Sequence, residues 1–169
     1  MNKKFRETSH LQGVEAQHWS KWILAMTPTE TRNFERRGNG RVGYKNANLA
    51  DELARANPKR ASCGIYEWRA TKSTRVSPSS RVVYVGRTCP NRWDSWENRI
   101  VDYTTHGNHK SELINAALQR GYELSVRFKA ANDAQEAKNM EDALLSRYNY
   151  AWNTRNNGVR PILNSADIW

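Results

Sequence analysis

Tyr66 and Tyr84 each lie within a predicted strand that also contains a glycine, and together they could form part of a ligand site. Strand periodicity puts Gly64 and Tyr66 on one face of a strand, and Tyr84 and Gly86 on one face of another. A glycine inside a strand weakens it unless something approaches the backbone closely. The four residues could therefore form the floor of a ligand site. A cross-strand aromatic pair with no ligand explains the same pattern, and the sequence leaves both interpretations open.

Two charged side chains fall among apolar residues on helices. Glu141 lies within the apolar stripe of a predicted helix over 132–148. A carboxylate is costly there unless it is paired with an arginine or bound to a cation, and both explanations remain open. Arg99, four residues before Tyr103, repeats the anomaly on a predicted helix over 92–103. A carboxylate and a guanidinium are therefore both expected to lean toward the sheet that carries the tyrosines.

Hydrophobic periodicity from residue 62 onward predicts the elements that must hold these side chains. It indicates an α+β fold in the order β-β-α-α-β-α, with a small three-stranded antiparallel sheet flanked by helices. The predicted strands are 62–69, 81–87 and 122–130, and the predicted helices are 92–103, 110–120 and 132–148, the last capped by Asn132.

The first third of the chain has a different pattern. Helical spacing of apolar residues predicts a helix over 14–26, and a shorter helix is predicted over 48–56. We therefore expect residues 1–61 to form a basic helical N-terminal extension and residues 62–169 to form the α+β domain.

Charge is the informative part of the composition. The chain has 169 residues, with 27 Lys and Arg against 17 Asp and Glu, which gives a net charge of +10. A basic domain of this size points to a polyanion, and nucleic acid is the commonest one. An anionic membrane surface would call for a basic amphipathic helix with a broad apolar face, and the sequence shows none that is convincing.

Other features exclude whole classes of protein. No apolar run approaches the roughly 20 residues that a transmembrane helix needs, and no apolar stretch follows the basic start as it would in a secretory signal. Cys63 and Cys89 are too few for a disulfide scaffold or a four-thiolate zinc site. We expect both to be free thiols in a cytoplasmic, reducing compartment.

The tripeptides Gly64-Ile65-Tyr66 and Tyr84-Val85-Gly86 resemble the two signatures of the GIY-YIG nuclease superfamily. The resemblance runs from about residue 62 to 157, and the β-β-α-α-β-α order matches that fold. Further family-type residues follow in order: Arg87, Arg99, Tyr103, His109, Glu141 and Asn153. The segment 144–158 also resembles the plant Effector of Transcription proteins and their bacterial relatives, although this chain lacks the cysteine-rich repeats of the plant proteins. The long connection between the signatures is similar to that of some GIY-YIG restriction enzymes.

The resemblance implies a phosphodiesterase that uses one Mg²⁺ or Mn²⁺ ion. It implies that Glu141 is the sole protein ligand of the metal and that Tyr66 is the general base or orients the attacking water. Arg87 would supply a positive field that helps Tyr66, because a tyrosine with a pKa of about 10 is a poor base. The remaining roles implied are phosphate binding by Arg99, hydrogen bonding or proton relay by Tyr84 and His109, and positioning by Asn153.

Two basic segments flank the expected site and could bind the DNA backbone. Residues 69–81 contain no acid, and residues 32–45 contain only Glu35. The residues expected to contact DNA are Arg36, Arg37, Arg41, Arg69, Lys72, Arg75 and Tyr103. Charge runs of this kind are also common on solvated faces that bind nothing.

These observations together predict a metal-dependent DNA endonuclease that acts as a monomer or homodimer. The main alternative is a DNA-binding regulatory module that keeps the nuclease fold with little or no catalysis. A third possibility is a basic RNA-binding protein that needs no Mg²⁺.

Overall fold

The computed structural model describes residues 4–5, 18–28, 44–57, 61–72, 79–89, 96–105 and 110–153. Within these ranges the chain forms four helices and seven strands. The strands are β1 (Lys4–Phe5), β2 (Ile23–Thr27), β3 (Tyr44–Lys45), β4 (Cys63–Lys72), β5 (Ser79–Thr88), β6 (Glu123–Ala131) and β7 (Tyr148–Asn149). The helices are α1 (Leu49–Ala56), α2 (Trp96–Thr105), α3 (Ser111–Gln119) and α4 (Ala134–Arg147).

The main sheet is antiparallel and has the strand order β3-β2-β6-β4-β5. The predicted α+β class and the order of the elements from residue 62 are confirmed. The predicted number of three strands is wrong, because β2 pairs with β6 and the two-residue β3 pairs with β2. The hairpin of β4 and β5 is longer than predicted and extends to Lys72 and Ser79.

The helix predicted over 14–26 is also wrong where the structure describes it. Residues 23–27 form a strand in which Ile23 is buried, Leu24 is exposed and Ala25 is buried. Apolar residues at helical spacing favour a helix only locally, whereas the open edge of β6 offers this segment a full set of backbone partners. Strand pairing alone does not define a domain boundary, so the division at residue 61 stays a prediction.

The sheet carries a separate apolar cluster on each face. Helices α1, α2 and α3 cover one face, where Trp68, Trp96 and Phe128 belong to the larger cluster. Helix α4 covers the other face, where Val82, Val85 and Leu145 form a smaller cluster. We call these the front face and the back face. Successive residues of a strand alternate between the two faces, which separates Tyr66 from its neighbours Ile65 and Glu67.

Helix α4 begins one residue later than predicted. Asp133 is the N-cap, and its carboxylate accepts a hydrogen bond from the backbone N–H of Glu136. The Glu136 carboxylate in turn accepts from the backbone N–H of Asn132, the residue predicted to be the cap. This reciprocal arrangement resembles a capping box, and it fixes the start of the helix that carries Glu141.

No helix in the described part of the chain is long and apolar enough to cross a membrane.

Candidate active site

Three tyrosines form a cluster on the front face of the sheet. The rings of Tyr66, Tyr84 and Tyr103 lie with centroids 6.1 to 6.3 Å apart. The hydroxyl oxygens of Tyr66 and Tyr103 are 3.3 Å apart, within hydrogen-bonding distance. Tyr66 and Tyr103 are both 1% exposed, while Tyr84 is only partly buried. The cluster joins the two signature strands to α2, and Tyr84 gives it contact with solvent.

The signature glycines make room for aromatic rings. A Cβ atom added at Gly86 would lie 2.6 Å from the Tyr66 hydroxyl oxygen, and one added at Gly64 would lie 2.4 Å from the Phe128 ring. The close approach that the sequence led us to expect is therefore made by side chains of the protein itself. Tyr66 and Tyr84 also pack against each other, so the explanation of the pattern as an aromatic pair is correct for their packing.

Burial raises the pKa values of Tyr66 and Tyr84. Burial is the main reason that the pKa of Tyr66 is raised well above 10.0, and the nearby Tyr84 and Tyr103 raise it further. Arg99 acts in the opposite direction on Tyr66 but is the weakest of these influences. The pKa of Tyr84 is also raised, first by burial and then by Tyr103 and the carboxylate of Glu141.

Arg99 projects from α2 toward the tyrosine cluster. Burial alone would lower its pKa, but Tyr66, Tyr103 and Tyr84 together raise it above its ordinary value. Its guanidinium carbon lies 6.0 Å from the centre of the Tyr103 ring. The Nε atom is buried and has no hydrogen-bond partner among the described residues. A guanidinium with an unused donor beside three hydroxyls is suited to bind a phosphate oxygen.

Glu141 lies on α4, beside the edge strand that carries the second signature. Its carboxylate oxygen Oε2 lies 3.2 Å from Nε of Arg87, the residue that follows the second signature. It also lies close enough to Tyr84 to raise the pKa of that tyrosine. The arginine explanation for a carboxylate on the apolar side of α4 is thus correct in this structure. The Glu141 side chain keeps 18% of its surface exposed, so an oxygen of the carboxylate remains accessible.

Asn153 acts on the backbone of the second signature. Its side-chain amide donates to the carbonyl oxygen of Val85 at 2.8 Å, and its side-chain oxygen accepts from the N–H of Val85 at 3.0 Å. The neighbouring Trp152 N–H donates to Val83. Because β5 is an edge strand, these bonds cap the unpaired backbone beside Tyr84 and Gly86.

Lys110 is a site residue that the sequence analysis missed. It is 8% exposed, and its ammonium lies 5.1 Å from the centre of the Tyr84 ring. Its Nζ donates to the carbonyl oxygen of Trp152 at 2.6 Å. Burial lowers its pKa from 10.5. A lysine just before a predicted helix gives no sign of burial, because its contacts with Trp152 and Tyr84 form only in the folded chain.

The predicted DNA contacts are placed unevenly. Arg69 stacks on Trp22, with its guanidinium carbon 4.4 Å from the ring centre, and burial lowers its pKa. Lys72 lies at the end of β4, with its ammonium 5.3 Å from the Tyr122 ring. Tyr103 is buried in the tyrosine cluster, and its contact with DNA stays a prediction. The remaining predictions concern residues outside the described ranges, namely Arg36, Arg37, Arg41, Arg75 and His109.

Cys63 and Cys89 form a disulfide, with their Cα atoms 4.0 Å apart. The expectation of free thiols is therefore wrong for this structure. The reason lies in the register of the hairpin, where Gly64 pairs with Thr88, so that the next residues outward are the two cysteines. The disulfide closes the same end of the hairpin that carries Arg87. A cytoplasmic location stays a prediction.

The described residues contain no group of three or more His, Cys, Asp and Glu side chains that could hold a metal ion. Any metal at this site would therefore have to be held by fewer protein ligands, with other oxygen atoms completing its shell. Glu141 is a carboxylate whose charge acts on the tyrosine cluster, since it helps to raise the pKa of Tyr84.

Comparison with known proteins adds a family-level finding. The family model described as GIY-YIG domain-containing protein matches residues 19–167. A curated relative, Protein EFFECTOR OF TRANSCRIPTION 3 of Arabidopsis thaliana, is 28% identical over 150 residues, which cover 84% of this chain and 52% of the relative. The chain thus spans about half the length of that relative. No solved structure matches the chain.

Proposed function

Because the chain belongs to the GIY-YIG domain family, we propose that it is a divalent-metal-dependent DNA endonuclease. The observation that carries the proposal is that charged side chains of two helices influence the tyrosine cluster. Arg99 of α2 lies beside the hydroxyls, and Glu141 of α4, which is paired with Arg87, acts electrostatically on Tyr84. A phosphodiester substrate needs a bound phosphate, a positioned water and help for the leaving oxygen, and this site offers groups for each.

Glu141 fits the requirements of a metal ligand. Mg²⁺ takes oxygen ligands, keeps several waters and is commonly bound by one or two carboxylates plus substrate phosphate. Glu141 supplies such an oxygen, and its partner Arg87 is 41% exposed and therefore free to move aside. Mg²⁺ or Mn²⁺ bound there would neutralise charge on the phosphate and make a water more acidic.

Arg99 would bind the phosphate and hold it against the tyrosines. Its position beside Tyr66, Tyr84 and Tyr103 brings a fixed positive charge to the point where the substrate would add negative charge. Tyr66 and Tyr84 are neutral at pH 7, as tyrosines ordinarily are, and their raised pKa values keep them neutral to still higher pH. In that state they donate hydrogen bonds to phosphate or water. Tyr66 could accept a proton only after cations had offset the cost of burying a phenolate.

A second set of residues holds the strand that carries Tyr84 in position. Asn153 and Trp152 hold the edge of β5 at Val85 and Val83. Lys110 ties the same segment to the start of α3 through its bond to Trp152. These contacts restrict Tyr84, whose ring lies beneath the Lys110 ammonium.

The alternative function, a DNA-binding regulatory module with little catalysis, has its own support. Glu141 is already neutralised by Arg87, and Tyr66 is buried with a raised pKa. The curated relative is named as an effector of transcription. On this alternative, Arg99 and Arg87 would bind phosphate without turnover.

A cleavage assay separates the two functions. The protein is incubated with supercoiled plasmid, branched DNA and single-stranded DNA in Mg²⁺, Mn²⁺ or EDTA. Cleavage that requires a metal and is lost in Arg99→Gln, but is retained in the surface control Arg120→Gln, supports the endonuclease. Tight DNA binding without cleavage in either metal would favour the regulatory module.

A further inference from the structure

A pocket of about 170 Å³ lies on the back face, between the sheet and α4. Its floor is formed by residues of three adjacent segments. Trp19 forms a β-bridge with Lys129 of β6, and Lys129 pairs with Ile65 of β4. Met140, Leu144 and Arg147 of α4 form the opposite wall. The lining is mostly apolar, with Lys129 and Arg147 as its charged members and no carboxylate.

Trp19 is held in place by a layered stack. The guanidinium carbon of Arg127 lies 4.3 Å from the centre of the Trp19 ring and 4.5 Å from that of Trp22. Arg127 is itself fixed by an ion pair with Glu67, which is fully buried. An indole restrained in this way loses little conformational entropy when a planar group packs on it. It is therefore a ready stacking surface at the edge of the pocket.

The size of the pocket limits what can enter it. A cavity of about 150 Å³ with an apolar lining binds one benzene ring. A pocket of about 170 Å³ therefore has room for one six-membered ring and little more.

The charges define the other half of the ligand. The ammonium of Lys129 has no hydrogen-bond or ion-pair partner in the part of the chain that the structure describes, and Arg147 also lines the pocket. Two cations beside an aromatic pocket, in a chain of net charge +10, are complementary to a ring that carries an anion.

We propose that this pocket binds an unpaired pyrimidine base of single-stranded nucleic acid, with the adjoining phosphates at Lys129 and Arg147. The inference takes nucleic acid as the ligand from the proposed function, but it does not depend on cleavage. Stacking of a base on an aromatic side chain, with cations along the backbone, is the general chemistry of single-strand binding. The pocket lies on the opposite face from the tyrosine cluster, so it would hold a strand other than the one cleaved, or a distant part of the same strand.

The test measures the affinity of the full chain in EDTA for three oligomers of ten nucleotides: oligothymidylate, oligoadenylate and an abasic strand. The three carry equal backbone charge, so their differences report on the bases. We expect oligothymidylate to bind about tenfold more tightly than the abasic strand, since stacking contributes about 1–3 kcal/mol per base and 1.4 kcal/mol is tenfold. Equal affinity for these two strands would overturn the proposal. Oligoadenylate binding as tightly as oligothymidylate would overturn the assignment to pyrimidines.

Variants assign the effect to the pocket. Leu144→Trp fills it and should abolish the preference for oligothymidylate while leaving the affinity for the abasic strand unchanged. Lys129→Gln should weaken binding of both strands a few-fold, and the exposed control Lys45→Gln should not. A preference that survives in folded Leu144→Trp would place the base elsewhere and contradict the proposal.

A second measurement covers the case in which Leu144→Trp does not fold. The wild-type chain is labelled with 5-fluorotryptophan, and the Trp19 signal is assigned by its loss in Trp19→Phe. Thymidine 5′-monophosphate should shift that signal, whereas inorganic phosphate should not. An unchanged Trp19 signal, or an equal shift with phosphate alone, would count against a base site. Failure of the cleavage assay leaves these results standing, and their failure leaves the cleavage assay unaffected.

Discussion

Tyr66 lies where the two signature strands meet α2, and its surroundings determine what its hydroxyl can do. The oxygen is 3.3 Å from that of Tyr103 and is almost completely removed from water. The pKa of such a hydroxyl is raised above its ordinary value, because burial destabilises the phenolate more than Arg99 stabilises it. A role of Tyr66 as a base would therefore require nearby cations that stabilise the phenolate.

We expect Tyr66→Phe to slow single-turnover cleavage by about 10²–10⁴-fold, the usual contribution of a group that transfers or directs a proton. The ring and its packing against Gly86 are kept, so DNA affinity should change little. The control is Tyr150→Phe, which removes a buried hydroxyl on the back face and should cleave at the normal rate. An unchanged rate in Tyr66→Phe would leave that residue as a packing residue only.

The raised pKa of Tyr66 also predicts a dependence of stability on pH. Above pH 10 the unfolded chain loses this proton, whereas the folded chain retains it until the higher folded pKa is reached. The folded state then binds more protons, so the free energy of unfolding falls as pH rises above about 10. In urea unfolding between pH 9 and 11.5, the free energy of unfolding should fall less steeply with pH in Tyr66→Phe than in the wild type.

Lys110 has a lowered pKa, so it acts in the opposite direction. The free energy of unfolding of Lys110→Met should therefore fall more steeply with pH than that of the wild type.

Glu141 is the residue at which the two proposed functions differ most. Glu141→Gln keeps the size of the side chain but removes the charge that binds a metal, so metal-dependent cleavage should be abolished. DNA affinity in EDTA should stay within a few-fold. Asp142→Asn, one residue along the same helix and paired with Lys138 at the surface, is the matched control. Normal cleavage by Glu141→Gln in Mg²⁺ would remove Glu141 as the metal ligand.

At the scale of elements, a buried polar network holds the back face of the sheet together. Glu67 on β4 is paired with Arg127 on β6, and it accepts a hydrogen bond of 2.7 Å from the hydroxyl of Tyr150. Glu67 and Tyr150 are both 0% exposed. Removing one partner of a buried charge is costly because the charge loses part of its compensation. This network links the two central strands to the segment that carries Asn153.

Tyr150→Phe should lower the free energy of unfolding by about 1.5–3 kcal/mol, the contribution of a hydrogen bond to a charged group. Tyr66→Phe loses a bond between two neutral hydroxyls and should cost only about 0.5–1.5 kcal/mol. Urea denaturation of both variants at pH 7 compares them. Equal losses would mean that Arg127 alone satisfies the Glu67 carboxylate.

The predictions from sequence succeeded where local pattern and final structure agree. The alternation in 122–130 matches β6, and the two glycine-tyrosine patterns match β4 and β5. The helix prediction for 14–26 failed because the strand that forms there pairs with β6, which lies about a hundred residues further along the chain. Lys110 and the back-face network were missed for the same reason, since their partners become neighbours only after the sheet forms. The cysteine pair needed the strand register, which periodicity alone does not fix.

At the scale of the whole molecule, the net charge of +10 raises the question of where the polyanion lies. The described basic residues do not share one face. Arg99 faces the front of the sheet, Lys129 and Arg147 line the back, and Lys72 lies at the end of β4. A duplex at the tyrosine cluster and a single strand at the back pocket would together use more of this charge than either alone.

The connection between β4 and β5 is where duplex contact can be tested against overall charge. Residues 69–81 include Lys72 and Arg75 and contain no acid. Each phosphate contact on duplex DNA contributes about −0.9 to the slope of log K against log salt. We expect Lys72→Ala plus Arg75→Ala to bind all duplex sequences more weakly and to lower the magnitude of the slope by about one to two units.

The control variant is Lys45→Ala plus Arg120→Ala, which removes the same charge from exposed positions on β3 and after α3. That control should reduce long-range attraction but leave the slope nearly unchanged. The measurement is affinity against salt on one duplex, with EDTA present to prevent cleavage. Equal slopes for the two double variants would show that this connection does not touch phosphate and that the excess charge acts only through the field of the whole protein.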